Sequence, residues 1–331
     1  MLIAFNSKGQ LIHANQADPQ EQYFCPESFV PMEVRISSRA RPYFAKINHR
    51  GSGESQEHQL GKRQIHEWCR QMGWPAQLEV PVKSIDQRID VLARVNQHKL
   101  AFEFQCSPIS NQRLSERTQY CWQMGYQVYW LLGSPYHPLT RKQQAKFTQW
   151  KLGQPVIYWW DVKGGQLHKQ FIQLQPCKSQ YHQELTRFKW HRQQGGRSKL
   201  LNLAYQNHHQ LWLCPNFLHN WQENWPITEL HLLEWQIQLL LSLERLAVGT
   251  KWTPASWFQW IDQQTRWLPM PCLTPPQKLS LHRSLISRLT YRWTKAGIVQ
   301  VNQQEIKYIQ RPYWYADEQE KKRHLRTWCW D

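Results

Sequence analysis

The sequence predicts an α/β fold. Its core, at residues 51–175, runs helix–strand–strand–strand–helix–strand, between a small β module at 1–50 and a basic, Trp-rich, mainly α-helical region at 176–331. Three observations predict it. Apolar residues recur at helical spacing in Ile65, Trp68, Cys69 and Met72. Apolar and polar residues alternate from Arg88 to Val95 and again from Lys99 to Gln105, as on two strands. The nearly continuous apolar run from Tyr126 to Leu132, closed by Gly133, has the composition of a strand buried on both faces.

Each element has a local cause. Met1 to Phe5 and Leu11 to Asn15 flank Asn6-Ser7-Lys8-Gly9-Gln10, a hairpin turn with Gly9 where a positive φ is needed. Another β segment is expected near Met32 to Ile36, and Arg50-Gly51-Ser52-Gly53 reads as a linker. Ser55 is the expected N-cap of the first core helix and Gly73 its stop. His58 and Lys62 fall one turn apart, away from the apolar stripe. Pro81 places the strand Gln77 to Val82 at a sheet edge. The helix Ser110 to Met124 turns Leu114, Thr118 and Cys121 inward. Beyond it a basic helix is expected at Arg141 to Trp150 and a strand at Val156 to Trp160. A Leu-rich helix follows at Thr228 to Leu246. Ser280 to Gly297 followed by Ile298 to Ile309 reads as helix then hairpin, as at the end of a winged helix.

Composition narrows the function. The formal net charge is +17, a field that concentrates polyanions. Nucleic acid is the first candidate partner and an anionic membrane surface the second. No apolar run reaches the ~20 residues of a membrane span, and the N-terminus lacks a secretory pattern. The expectation is a cytoplasmic protein with no membrane insertion. The eight cysteines form no C-x-x-C pair and read as reduced thiols. Most of the 20 tryptophans are expected in cores.

The chemistry concentrates in the hairpin Arg88 to Gln105. Leu100, Phe102 and Phe104 share one face of their strand, leaving Ala101, Glu103 and Gln105 on the other. Ile89, Val91, Ala93 and Val95 share a face of the preceding strand, leaving Asp90 opposite. With Gln97-His98 as the turn, Asp90 faces Gln105 and lies diagonal to Glu103, within reach of one ion. Two neighbouring buried carboxylates repel, and a hard divalent cation relieves both the burial and the repulsion. The alternative is a solvated face on which Arg88 or Arg94 pairs with the acids. Within the helix–strand–strand–strand–helix–strand order, an Asp followed about a dozen residues later by Glu-x-polar is the arrangement of PD-(D/E)xK nucleases.

Arg88-Ile89-Asp90-Val91-Leu92, Ala101-Phe102-Glu103-Phe104-Gln105-Cys106-Ser107-Pro108-Ile109-Ser110 and Glu116-Arg117-Thr118 with Tyr120 resemble the competence protein CoiA family. So do Glu54-Ser55-Gln56-Glu57-His58 and Gly61-Lys62 upstream, and the resemblance covers roughly residues 1 to 175. It implies a DNA-processing factor of bacterial natural transformation, acting on incoming DNA around recombination. Asp90 and Glu103 would then hold Mg²⁺ or Mn²⁺, with Gln105 in the place of the superfamily lysine as the third catalytic position. His58 would add a ligand or hold a water, and Lys62, Arg117 and Tyr120 would contact DNA. The family's N-terminal Cys-x-x-Cys and His-Phe-x-His positions read Cys25, Ser28, Tyr43 and Lys46 here. One ligand of four cannot hold zinc. A degenerate ribbon without zinc is expected, packed on Tyr23, Phe24, Phe29, Tyr43 and Phe44.

The last region offers basic surfaces. Arg187, Lys189 and Arg192 lie in one stretch without acids, and Arg288, Arg292 and Lys295 recur in another, opposite Leu281, Leu285 and Leu289. These six are expected on DNA, with single strands as the expected form and recombination proteins as further partners. Because Gln105 brings no charge, a second reading stands beside the nuclease. It is a non-catalytic single-stranded-DNA-binding accessory of recombination built on a nuclease fold.

Overall fold

A computed structural model describes residues 3–26, 31–36, 42–46, 55–82, 87–171, 188, 190–194, 197–219 and 226–327. The chain divides into two compact units, Met1–Gln59 and Leu60–Asp331.

The first unit is a five-stranded antiparallel sheet in the order β2-β1-β3-β4-β5. Its strands are β1 (Ile3–Asn6), β2 (Leu11–His13), β3 (Tyr23–Phe24), β4 (Pro31–Ile36) and β5 (Pro42–Lys46). The expected hairpin forms, with Gly9 at φ 75°. Cys25 is buried among Ala4, Ala14, Tyr23, Met32 and Phe44, and the Tyr23 and Phe44 rings stand 4.8 Å apart. Phe24 and Tyr43 are half-buried; Ser28 and Phe29 lie outside the described residues.

Helix α1 (Gln56–Gln71) begins in this unit and continues into the second. Ser55 caps it, its Oγ accepting from the His58 N–H at 3.1 Å, and Gly73 ends it at φ 73°. Its buried residues are Gly61, Lys62, Ile65 and Cys69. Lys62 therefore lies on the inner side, a correction to the expectation that it lies away from the apolar stripe. It precedes Ile65 by three positions and so falls on the same stripe.

The strands of the central sheet are β6 (Ala76–Val82), β7 (Gln87–Val95), β8 (His98–Gln105), β9 (Tyr126–Leu132), β10 (Gln149–Lys151), β11 (Gln154–Asp161) and β12 (Gln166–Phe171). The order is β10-β11-β9-β8-β7-β6, with β12 along the other side of β11. β6 is an edge, as Pro81 requires, and β9 runs parallel to both β8 and β11. One face buries Val91, Phe102, Phe104, Leu131 and Trp160 with Ile65 and Cys69 of α1. Against the other face lie Leu114 and Cys121 of α2 (Asn111–Gln123). α2 is capped by Ser110, whose Oγ accepts from the Arg113 N–H at 3.0 Å. Gly61 lets α1 approach β8, because a Cβ there would overlap the Phe104 ring.

The β7–β8 turn differs from expectation. Val95 pairs with His98 and Val91 with Phe102. The turn is thus Asn96-Gln97, with Asn96 at φ 52°, a left-handed conformation that Asn tolerates better than Gln or His. The register moves by two residues relative to the predicted turn.

Four helices and a three-stranded sheet build most of the remainder. They are α5 (Leu232–Glu244), β13 (Lys251–Trp252), α6 (Pro254–Gln264), α7 (Pro275–Lys295), β14 (Val299–Val301), β15 (Ile306–Tyr308) and α8 (Glu318–Thr327). The small sheet has the order β13-β15-β14. α3 (Arg141–Phe147) and α4 (Lys199–Gln206) precede them. This region packs with the central sheet in one unit: Arg141 Nη2 donates to the carbonyls of Thr228 and Leu230, both at 2.9 Å. No helix among the described residues is long and apolar enough to cross a membrane.

Candidate metal centre and nucleic-acid surface

The two carboxylates meet where the β6–β7–β8 ladder opens. Leu78 pairs with Val91 and Val80 with Ile89, while Glu79 between them takes φ 52°, a strained value for a residue with a side chain. This distortion turns the strand between Ile89 and Val91. Ile89 packs with Ala101 and Cys121, whereas Val91 packs with Ile65 and Phe102. The regular alternation expected for β7 is therefore broken at Asp90.

Asp90 occupies that opening. Its Oδ2 accepts from the Phe104 backbone N–H at 2.8 Å, a donor beyond the last paired residues of β7 and β8. The shifted register brings Asp90 beside Glu103 instead of diagonal to it, and the Asp90 N–H donates to the Glu103 carboxylate. Asp90 is 8% exposed and Glu103 2%. Burial pushes the pKa of the Glu103 carboxyl up, the charge of Asp90 adds to the rise, and Arg117 pulls it back.

Arg117 reaches this site from α2. It donates to Glu103 Oε2 and, at 3.2 Å, to the Arg88 carbonyl. Its guanidinium carbon lies 5.2 Å from the centre of the Trp130 ring. The ion pair comes from α2, not from the neighbouring strand arginines considered in the sequence. Arg88 instead pairs with Glu79 at 3.3 Å, which also receives Lys62 Nζ at 2.8 Å. These two cations lower the Glu79 pKa, Lys62 foremost.

Gln105 is 8% exposed. Its amide nitrogen donates to the Ser107 carbonyl, which also accepts from Tyr136 Oη at 2.6 Å. By its chemistry the amide oxygen of Gln105 is a hard donor. Tyr120 is half-buried against Ile89, Ala101 and Cys121. His58 lies on the first turns of α1, in the first compact unit.

The donor set suits Mg²⁺ or Mn²⁺: two carboxylates and an amide oxygen are hard ligands, and such ions keep several waters. Among the described residues no group of three or more His, Cys, Asp or Glu gathers as a metal cage. Water and phosphate would have to complete the shell, and Arg117 would have to release Glu103.

The basic residues of the last region divide. Arg192 is exposed, with its guanidinium 5.7 Å from the Trp212 ring centre. Arg187 and Lys189 lie outside the described residues. Arg288 and Lys295 are exposed on α7. Arg292 turns inward to the Phe217 carbonyl, and burial pushes its pKa down to about 10. Arg283, absent from the sequence-derived set, is exposed on the same helix. Its place beside the Leu281–Leu285–Leu289 stripe was the signal available.

Residues 54–154 match the family model described as Competence protein CoiA, nuclease-like domain. The chain is also 32% identical over 124 residues to Competence protein CoiA of Bacillus subtilis (strain 168), covering 36% of this chain and 33% of that protein. The match thus spans about a third of the relative's length. No solved structure matches the chain. Residues 54–154 are thus similar to the nuclease-like domain of the competence protein CoiA family.

Proposed function

We propose that the chain is a DNA-processing factor of natural transformation. In this reading Asp90 and Glu103 hold Mg²⁺ or Mn²⁺ for phosphodiester hydrolysis on a PD-(D/E)xK core. One observation carries it: two carboxylates lie buried side by side, Asp90 8% and Glu103 2% exposed, at a break in the sheet. A purely structural role would favour an apolar pair there, since buried ionic groups rarely add stability over apolar ones. The order α1, β6–β8, α2, β9 supports the fold assignment, with the acids on its second and third strands.

Bound at these ligands, the ion supplies a Lewis acid for a phosphate oxygen and lowers the pKa of a coordinated water. The protein holds the ligands in place. Phe104 N–H fixes the Asp90 carboxylate, and Ser107 fixes the Gln105 amide. Tyr120 is a further candidate DNA contact, and recombination proteins are candidate partners.

The second reading, a non-catalytic accessory that binds single-stranded DNA, is favoured by Arg117 on Glu103 and by the uncharged Gln105. The two separate in a cleavage assay on single-stranded, duplex and branched DNA with Mg²⁺ or Mn²⁺. Metal-dependent cleavage should vanish in Asp90→Ala while DNA binding in chelator persists. No cleavage by the wild type with either metal would leave the accessory reading in its place.

A further inference from the structure

The helices and strands at residues 232–308 follow the order α5, β13, α6, α7, β14, β15. The last strand lies between the other two, β13-β15-β14, and all pairings are antiparallel. That is the wiring of a winged helix, with α6 and α7 as the helix-turn-helix pair and β14–β15 as the wing. The α6–α7 connection runs from Thr265 to Thr274, longer than the usual short turn. The pair is nevertheless locked: Trp257 Nε1 of α6 donates to Thr290 Oγ1 of α7 at 2.8 Å, inside the core.

α7 has two unlike faces. Leu281, Leu285, Ile286, Leu289 and Trp293 are buried. Arg283, Ser284, Ser287, Arg288, Tyr291 and Lys295 are exposed. The helix contains no Asp or Glu. The nearest acids along the chain are Asp262, which accepts from Trp267 Nε1 at 2.8 Å and lies 3.8 Å from His282 Nδ1 on the half-buried side of α7, and Glu305, which pairs with Lys251 at 3.1 Å. The Arg283 guanidinium carbon lies 5.8 Å from the Phe258 ring centre and Lys295 Nζ lies 5.7 Å from that of Tyr291. Both cations rest on aromatic faces at the surface. Between α7, the start of α6 and the wing runs a groove of about 690 Å³ with Phe258, Ser287 and Val301 in its walls. Tyr291 is 63% exposed and Val301 44%.

We propose that residues 232–308 form a winged helix that holds duplex DNA, with the exposed face of α7 in the major groove and the β14–β15 wing against the backbone. An α-helix fits the major groove, where cations and hydroxyls meet phosphates and base edges and apolar side chains meet thymine methyls. The charge of the face selects nucleic acid over an apolar protein segment, and the single helix flanked by a wing selects a duplex over a flexible strand. This goes beyond the nuclease reading and does not depend on it. The metal site can be inert while this surface binds, and the reverse.

The test is fluorescence anisotropy of the full chain with labelled short duplex and single-stranded DNA, in chelator so that the metal site is silent. Arg283→Glu combined with Arg288→Glu should weaken duplex binding by about tenfold or more and flatten its salt dependence by about one unit of log–log slope per lost contact. The pair Lys142→Glu and Lys163→Glu, exposed and outside this region, lowers net charge equally and should weaken it far less. Lys295→Glu, at the end of the same face, serves as a single-site variant should the double variant fold poorly, and should also weaken duplex binding. Unchanged duplex affinity, as expected if the groove seats a protein, overturns the proposal. Equal losses in the control pair, or a loss on single strands as large as on duplex, overturn it too.

Discussion

Arg117 of α2 donates to the carboxylate of Glu103 on β8 while its guanidinium lies over the Trp130 ring. The arrangement ties the helix to the strand, and it places a fixed positive charge where a metal ion would act. Burial and the neighbouring Asp90 oppose ionisation of Glu103, and a positive charge beside it relieves that opposition, as Arg117 does. In the proposed reading Arg117 would thus both stabilise the metal-free site and compete with the metal.

This dual position makes a prediction for Arg117→Met. Leaving Glu103 buried without its partner should cost about 3–5 kcal/mol in chelator. Mn²⁺ should restore part of that loss, so the metal-induced rise in Tm should be larger in the variant than in the wild type. Differential scanning calorimetry with and without Mn²⁺ measures both. An equal or smaller rise in the variant would mean that Arg117 and the ion do not share Glu103.

Gly61 offers a test of packing against propensity. Gly→Ala inside a helix ordinarily adds up to about 1 kcal/mol of stability. Here the new methyl group would overlap the Phe104 ring, and overpacking typically costs about 1–3 kcal/mol. Gly61→Ala should therefore lower the urea midpoint. A higher midpoint would show that α1 can move away from β8 without loss.

Much of the fold was legible because it rests on local rules. Ser55 and Ser110 cap their helices as polar side chains before apolar periodicity do, and β9 is central because nothing polar interrupts it. The site was half legible. Asp90 and Glu103 stood out as acids in apolar strands, but their juxtaposition depends on Asn96 taking φ 52° and on the distortion at Glu79. Neither follows from alternation. Lys62 and Arg292 were expected away from the apolar stripes of their helices, although each falls three positions from a core residue, Ile65 or Leu289, on the buried side. β13, two residues long, carries too little pattern to be seen, so the sequence offered only the closing helix and hairpin, and the central place of β15 came from the strand order.

A last prediction concerns pH and a group remote from the nuclease-like site. Glu244, at the end of α5, accepts from Trp314 Nε1 at 2.9 Å and lies 3.0 Å from His209 Nε2. Burial pushes the Glu244 carboxyl up from 4.5 to about 7, and burial, with His208 adding, lowers the pKa of His209. The two shifts agree on a neutral carboxylic acid donating to a neutral imidazole. Because the folded chain binds this proton more tightly than the unfolded chain, the group contributes stability at low pH. That contribution is lost as pH rises from 4.5 through about 7. Glu244→Gln keeps an oxygen for Trp314 and a donor for His209, and it cannot ionise. Its Tm relative to the wild type should therefore rise with pH across that window and level off above it. A difference in Tm that stays flat, or one that falls, would show that Glu244 is ionised in the folded chain and paired with a charged His209.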